Sequence, residues 1–167
     1  LLDPIGGKEG PWAWANLGET RRAIAAYEQA RALRVRFEAD HEAFGMHDTG
    51  LARHYKELGH FREALELLEA VRAWQAASGR QTIFTVADAE LANCWLWLGQ
   101  TARAAGALRD PAADAAPTVH AAHLVARARI ALAQQQPAVE LLRRAYRLCE
   151  AEGRAYYRLS VSAELSR

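Results

Sequence analysis

The chain has 167 residues, 51% of them hydrophobic, with 21 Lys and Arg against 20 Asp and Glu for a formal charge of +1. That apolar content excludes a disordered chain and can fill a sizeable core, while so small a charge gives no field that would by itself draw nucleic acid or a membrane surface. Two cysteines, Cys94 and Cys149, cannot form a disulfide framework and no tripeptide fits the glycosylation acceptor pattern, so a reducing cytoplasm is expected.

The opening "LLDPIGGKEG" lacks an initiator Met and has no basic stretch before an apolar run, so it does not read as a secretion signal. Its "GGKEG" has neither the spacing nor the Ser or Thr of a phosphate loop. No uninterrupted apolar segment reaches the roughly 20 residues a membrane span needs. The chain is expected to be an excised piece of something longer.

Three segments then end an apolar run with Leu-Gly: "WAWANLGETRRAIAAYEQA", "LARHYKELGHFREALELLEAV" and "LANCWLWLGQTARAAGAL". Their glycines, Gly18, Gly59 and Gly99, lie 41 and then 40 residues apart, and a fixed period of that size means stacked repeats. An aromatic stands four before each glycine (Trp14, Tyr55, Trp95). An alanine stands five after it (Ala23, Ala64, Ala104), and a larger apolar residue nine after (Tyr27, Leu68, Leu108).

Helical periodicity fills the intervals. From Thr20 to Ala39 there is no Gly or Pro, and Ala23, Ile24, Tyr27, Ala30, Leu33 and Phe37 make one stripe. In the second unit Phe61, Ala64, Leu65, Leu68 and Val71 form one stripe and Leu67, Ala70 and Trp74 another, a wide apolar face suited to a helix wedged between neighbours. Gly79 and Gly153 are placed to end long helices, and Pro117 and Pro137 to occupy first turns. "RDPAADAAP", Arg109 to Pro117, is expected to cut the third unit's second helix short. A fourth unit lacks the glycine but keeps Ala138, Leu142 and Ala145, its first-helix register being open by one or two residues. The ending "EGRAYYRLSVSAELSR" reads as a further first helix without its partner.

These positions resemble the tetratricopeptide repeat (TPR), in which a first helix carries Leu, a small residue and an aromatic before a glycine turn, and a second carries Ala and an aromatic or Leu. The second unit matches best, with Leu51, Ala52, Tyr55, Gly59, Phe61, Ala64 and Leu68. The third follows with Leu91, Ala92, Trp95, Gly99, Ala104 and Leu108. The usual unit is about 34 residues, so a period near 40 asks for longer helices. The resemblance implies an all-α, right-handed superhelical array of antiparallel helix pairs, a TPR-like α-solenoid. Taken as a single array, its units span about 8–40, 41–80, 81–116 and 117–153, with an incomplete unit or capping helix over 154–167.

In this family the first helices line a concave groove where partner peptides lie. The corresponding positions are Met46, Thr49, Arg53, Lys56 and Glu57 in the second unit and Val86, Ala89, Asn93, Leu96 and Trp97 in the third. The first unit offers Trp12 and Asn16. The fourth offers His120, His123 and Arg127, which share a face at spacings of three and four. Arg53, Asn93 and Arg127 read as a polar row, Arg suiting carboxylates and Asn a peptide backbone. A solvated face without a ligand is the competing reading. Of the "WLW" pair, Trp95 takes the aromatic packing position. Trp97 takes a place held by Asn16 and Glu57 elsewhere, so Trp97 is expected to be the more exposed and to form an apolar wall beside Asn93.

Enzyme signatures are absent. "HEAFGMH" has Gly45 where a zinc-protease helix needs its second histidine, and His120 and His123 have no further ligand near them in sequence. Cys94 and Cys149 fall on apolar stripes and read as small buried hydrophobes. The arginine-rich second helices are interspersed with Glu28, Glu38, Glu140 and Glu150, as on a solvated face, so no direct nucleic-acid contact is expected.

The leading expectation is therefore a non-catalytic interaction module without cofactor or metal. Its partner is a protein or peptide, acidic or C-terminal, or a segment of its own full chain. By analogy of fold it belongs to a bacterial signalling or transcriptional regulatory protein. The other readings are a small-molecule-binding or enzymatic helical domain using the groove aromatics and histidines, and an oligomerisation element that pairs as a homodimer through exposed array ends.

Overall fold

The computed structural model describes Trp14 and residues 18–37, 41–78, 85–151 and 161–162, together with their side chains except those of 34–37, 41–44, 46, 78 and 85. Expectations placed on Trp12, Asn16, Gly79 and Gly153 lie outside this set, as does most of the segment 154–167. Among the described residues every long element is an α-helix: α1 (Thr20–Phe37), α2 (His41–Glu57), α3 (Phe61–Ser78), α4 (Thr85–Trp97), α5 (Thr101–Ala107), α6 (Pro117–Ala133) and α7 (Val139–Ala151). The chain divides into two compact units, Leu1–Ala73 and Trp74–Arg167.

The turns explain the period. Gly59 N–H donates to the Lys56 carbonyl at 3.0 Å and His60 N–H to the Tyr55 carbonyl at 2.9 Å. Gly99 and Gln100 repeat the pair on Leu96 and Trp95, at 2.9 and 2.8 Å. This double bond satisfies orphan carbonyls of the preceding helix and demands a left-handed residue, which glycine adopts at little cost. Gly18, Gly59 and Gly99 have φ of 75°, 84° and 71°.

The fourth unit makes the same turn without a glycine. Gln135, at φ 57°, takes the left-handed place. Its N–H donates to Leu132 and that of Gln136 to Ala131, at 3.0 and 2.8 Å. Gln135 thus marks the register that the sequence left open: each first-helix position of the fourth unit lies 36 residues after its counterpart in the third. Arg129 answers to Asn93, and Ala128 to Ala92.

The alanine five places after each glycine has an equally local cause. Its N–H closes the first bond of the second helix: Ala23 on Glu19, Ala64 on His60, Ala104 on Gln100. All three are fully buried. In the fourth unit Leu142 bonds Ala138 in the same way, so Ala138 caps α7 and Pro137 stands just ahead of the helix, not in its first turn. Pro117 is at the first turn of α6, as expected.

In the first compact unit α1 packs on α2. Tyr27 of α1 lies directly over Gly50, where a Cβ would come 2.7 Å from the ring's Cζ and hydroxyl, so only glycine allows this approach. Tyr55 of α2 donates its hydroxyl to Glu28 of α1. Burial and this carboxylate push its pKa up to about 12. In α3, Ala64, Leu67, Leu68 and Val71 are buried, whereas Ala70 is exposed.

In the second compact unit α4 pairs with α5 and α6 with α7, and α6 also lies against both α4 and α5. Ala89 and Ala92 of α4, Ala104 of α5, and Ala126 and Ile130 of α6 form one core; the alanines let three helices meet closely. Ala121, Leu124 and Ala128 of α6 with Leu142, Ala145 and Cys149 of α7 form the next. Both cysteines are buried thiols, not joined in a disulfide.

Candidate functional site

α5 is only seven residues long, and positions 108–116 after it are irregular. The "RDPAADAAP" stretch ends the helix as its prolines predict, and the consequence is an opening over α6. A cavity of about 400 Å³ lies there, bounded by Leu108 and Asp110 after α5, by His123, Arg127 and Ile130 of α6, and by Leu141 of α7.

The irregular segment is held by a buried charge. Asp88 of α4 is wholly buried, and Arg109 grips it in a fork: Nε donates to Oδ2 at 2.6 Å and Nη2 to Oδ1 at 3.0 Å. Nη2 also donates to Gln75 Oε1 at 3.2 Å. The bond to Asp88 raises the Arg109 pKa further above its ordinary value. Fixing Arg109 fixes its neighbour. Asp110 Oδ1 comes to 3.2 Å from His123 Nε2 and 3.5 Å from Arg127 Nη1.

His123 is buried at 4% exposure, and neither ring nitrogen makes a hydrogen bond of good geometry. Burial pushes its pKa down, against the pull of Asp110 upward; the Arg127 guanidinium and His120 push it down further, and the Arg109 main chain pulls it up. The imidazole is therefore held neutral over a wider pH range than a free histidine.

A second feature lies on another side of α6. Arg129 Nη1 donates to Asn93 Oδ1 of α4 at 3.1 Å. Residues two apart leave a helix about 200° from one another, so Arg127 and Arg129 point to nearly opposite sides. Trp97 follows Asn93 by one turn on the same face and is 72% exposed, whereas Trp95 is half-buried under the Arg103 guanidinium, 4.8 Å from the ring centroid.

The residues predicted from sequence divide accordingly. His123 and Arg127 come together around Asp110, with His120 half-buried one turn before His123. Arg127 does not stand with Asn93; Arg129 does, because the fourth unit's register is two residues from the one first read. Thr49 is buried, its hydroxyl donating to the Gly45 carbonyl at 2.6 Å, so its side chain is occupied within α2. Arg53 and Lys56 are half-buried on α2 and engaged in interactions of their own. Sequence reasoning missed Asp110, Arg129 and the Arg109–Asp88 pair. One signal was present: Asp88 follows Asp48 by 40 residues, and Asp48, equally buried, has Arg31 Nε at 3.7 Å. Among the described residues no group of three or more His, Cys, Asp or Glu is placed to hold a metal, and no helix is long and apolar enough to cross a membrane.

Neither a family model nor a curated protein sequence matches the chain. Two crystal structures do: nearly identical TPR-like repeats of a Podosopora anserina protein assigned as a kinesin light chain, and a single-substitution variant of it. Each aligns with 94% of this chain, at a TM-score of 0.59 and 26% identity, and the alignment takes in 81% of the parent's length and 80% of the variant's. The repeats of this chain are TPR-like. The glycine turns, the aromatic before them and the buried alanine after them are this fold's hairpin signature, and the Gln135 turn is a TPR-like turn built on a glutamine.

Proposed function

We propose that this TPR-like chain is a non-catalytic protein-interaction module, with the exposed face of α4 and α6 as its contact surface. The observation that carries the reading is Trp97, a large aromatic 72% exposed one turn from the Asn93–Arg129 pair. An exposed indole beside a guanidinium is the composition of a contact hot spot: the ring supplies apolar area, and Arg129, half-buried and held in place by the buried Asn93, supplies directional hydrogen bonds. A partner peptide with acidic side chains or a free carboxyl terminus suits Arg129. The similarity to kinesin light chain repeats supports an interaction module over an enzyme. The wider setting we propose is a cytoplasmic bacterial regulatory protein in which the partner is another protein or a distant segment of the same chain.

An array of acidic peptides, each made with a free and with an amidated carboxyl terminus, tests the reading. The expected result is capture of a subset of peptides, with Trp97→Ala and Arg129→Ala each weakening it about tenfold or more, the size of a typical hot-spot loss, while helical content stays unchanged. Capture that is indifferent to both substitutions, or no capture at all, overturns it.

A further inference from the structure

The cavity left by the short α5 is not accounted for by an interaction surface on the Trp97 side of α6. Its polar end holds a desolvated imidazole, His123, whose nitrogens lack satisfactory hydrogen bonds, beside the Arg127 guanidinium. Leu108, Ile130 and Leu141 also line the cavity, beside the polar Gln134 and Gln136. Buried polar groups ordinarily make well-aligned hydrogen bonds, and one whose contacts are poorly aligned, lining a cavity of ligand size, marks a place that a ligand can complete.

Asp110 indicates which ligand. Its carboxylate already bridges His123 Nε2 and Arg127 Nη1, at 3.2 and 3.5 Å. Yet the side chain is 83% exposed, and its approach to His123 fails hydrogen-bond geometry. An exposed pair of this kind is worth little and is easily exchanged. The chain thus presents its own exposed carboxylate to a cavity that Leu108, Ile130 and Leu141 also line.

We propose that the cavity binds an aliphatic monocarboxylate, with the head group taken by Arg127 and His123, the apolar body against Leu108, Ile130 and Leu141, and Asp110 as a tethered carboxylate that the ligand displaces. Charge favours a monoanion, since a single guanidinium faces it and the displaced Asp110 stays close by. The carboxylate is supplied either by a small free acid or by the carboxyl terminus of a peptide ending in an apolar residue. This site is independent of the peptide surface proposed above.

The experiment is an NMR titration of the full chain with hexanoate and with acetyl-Gly-Gly-Leu, each against its amide, following the Asp110 amide and the His123 imidazole signals. Both carboxylates, or one of them, should shift these signals while the amides do not; the tighter of the two identifies the source. Asp110→Ala should strengthen binding about tenfold by removing an intramolecular competitor, with Asp110→Asn in between. Arg127→Gln should abolish it. Amides that bind as well as acids, an Asp110→Ala affinity equal to wild type, or shifts elsewhere in the chain overturn the proposal. Asp110 and Arg127 are exposed, so these variants retain the fold, and loss of Trp97-dependent peptide capture has no bearing on the outcome.

Discussion

Arg109 and Asp88 are joined by two hydrogen bonds of 2.6 and 3.0 Å, and the carboxylate lies at zero exposure while the guanidinium reaches the surface. The pair ties the irregular segment after α5 back to α4. It replaces the packing that a full-length second helix would have supplied. Arg109→Ala leaves Asp88 buried without its fork. A hydrogen-bonded charge so exposed on one side contributes less than a fully buried pair, so the expected destabilisation is about 2 kcal/mol. Urea denaturation measures it. A midpoint unchanged within error would show that the segment is held by something else. The same variant should perturb the His123 imidazole signal, because Asp110 loses its anchor.

The Gln135 turn carries a cost the glycine turns do not. A left-handed residue with a Cβ is disfavoured by roughly 1–2 kcal/mol, and glycine at such a site recovers part of that after its own chain entropy is counted. Gln135→Gly should therefore stabilise the chain by about 0.5–1 kcal/mol. Gly99→Ala, whose Cβ would meet no atom within 4 Å, should destabilise by about 1 kcal/mol through backbone strain alone. Thermal unfolding of the two variants gives shifts of opposite sign if the turns are equivalent.

Most of the repeat was legible because its causes are local. Gly18, Gly59 and Gly99 sit where a left-handed turn residue is needed, and Ala23, Ala64 and Ala104 where helices approach closely; both requirements leave a mark at a fixed spacing. The fourth unit was misread in register because its turn residue is Gln135, which carries no such mark. Arg127 was therefore placed where Arg129 stands. The cavity was hidden for a different reason. It exists because α5 is short, which "RDPAADAAP" announces, but what fills the gap depends on Arg109 reaching back 21 residues to Asp88. Long-range polar pairing of that sort has no periodicity to read. The place of Thr49 in the unit predicts a groove-facing side chain, but its hydroxyl closes on Gly45 within the same helix, a local alternative open to any threonine in a helix.

Trp95 and Trp97 were separated correctly by the turn register, and their environments set their energetics. Trp95 packs against the core of α4, α5 and α6 and takes Arg103 over its ring. Trp95→Ala should cost about 2–3 kcal/mol, a discount on full aromatic burial because the ring is only half-buried. Trp97→Ala should change stability by about 0.5 kcal/mol or less, as at an ordinary surface position. Iodide quenching adds a second readout: Trp97→Phe should remove most of the readily quenched emission contributed by α4, and Trp95→Phe should not.

His123 gives the chain a sensitivity to acid whose sign follows from its lowered pKa. Burial is the largest cause, and it favours the neutral ring in the folded state. Above the ordinary histidine value of about 6.5 the ring is neutral folded and unfolded alike, and its contribution to stability is complete. As pH falls below that value the unfolded chain takes up a proton that the folded chain binds less readily, so stability declines until the folded-state value is passed. His123→Leu removes this proton linkage while keeping an apolar side chain in the site. The difference in unfolding free energy between pH 7.5 and pH 5.5 should therefore be smaller in His123→Leu than in the parent, whatever the other five histidines contribute to both. Equal differences in the two chains would mean that His123 titrates as it does in an unfolded chain, and that the imidazole beside Asp110 is not desolvated.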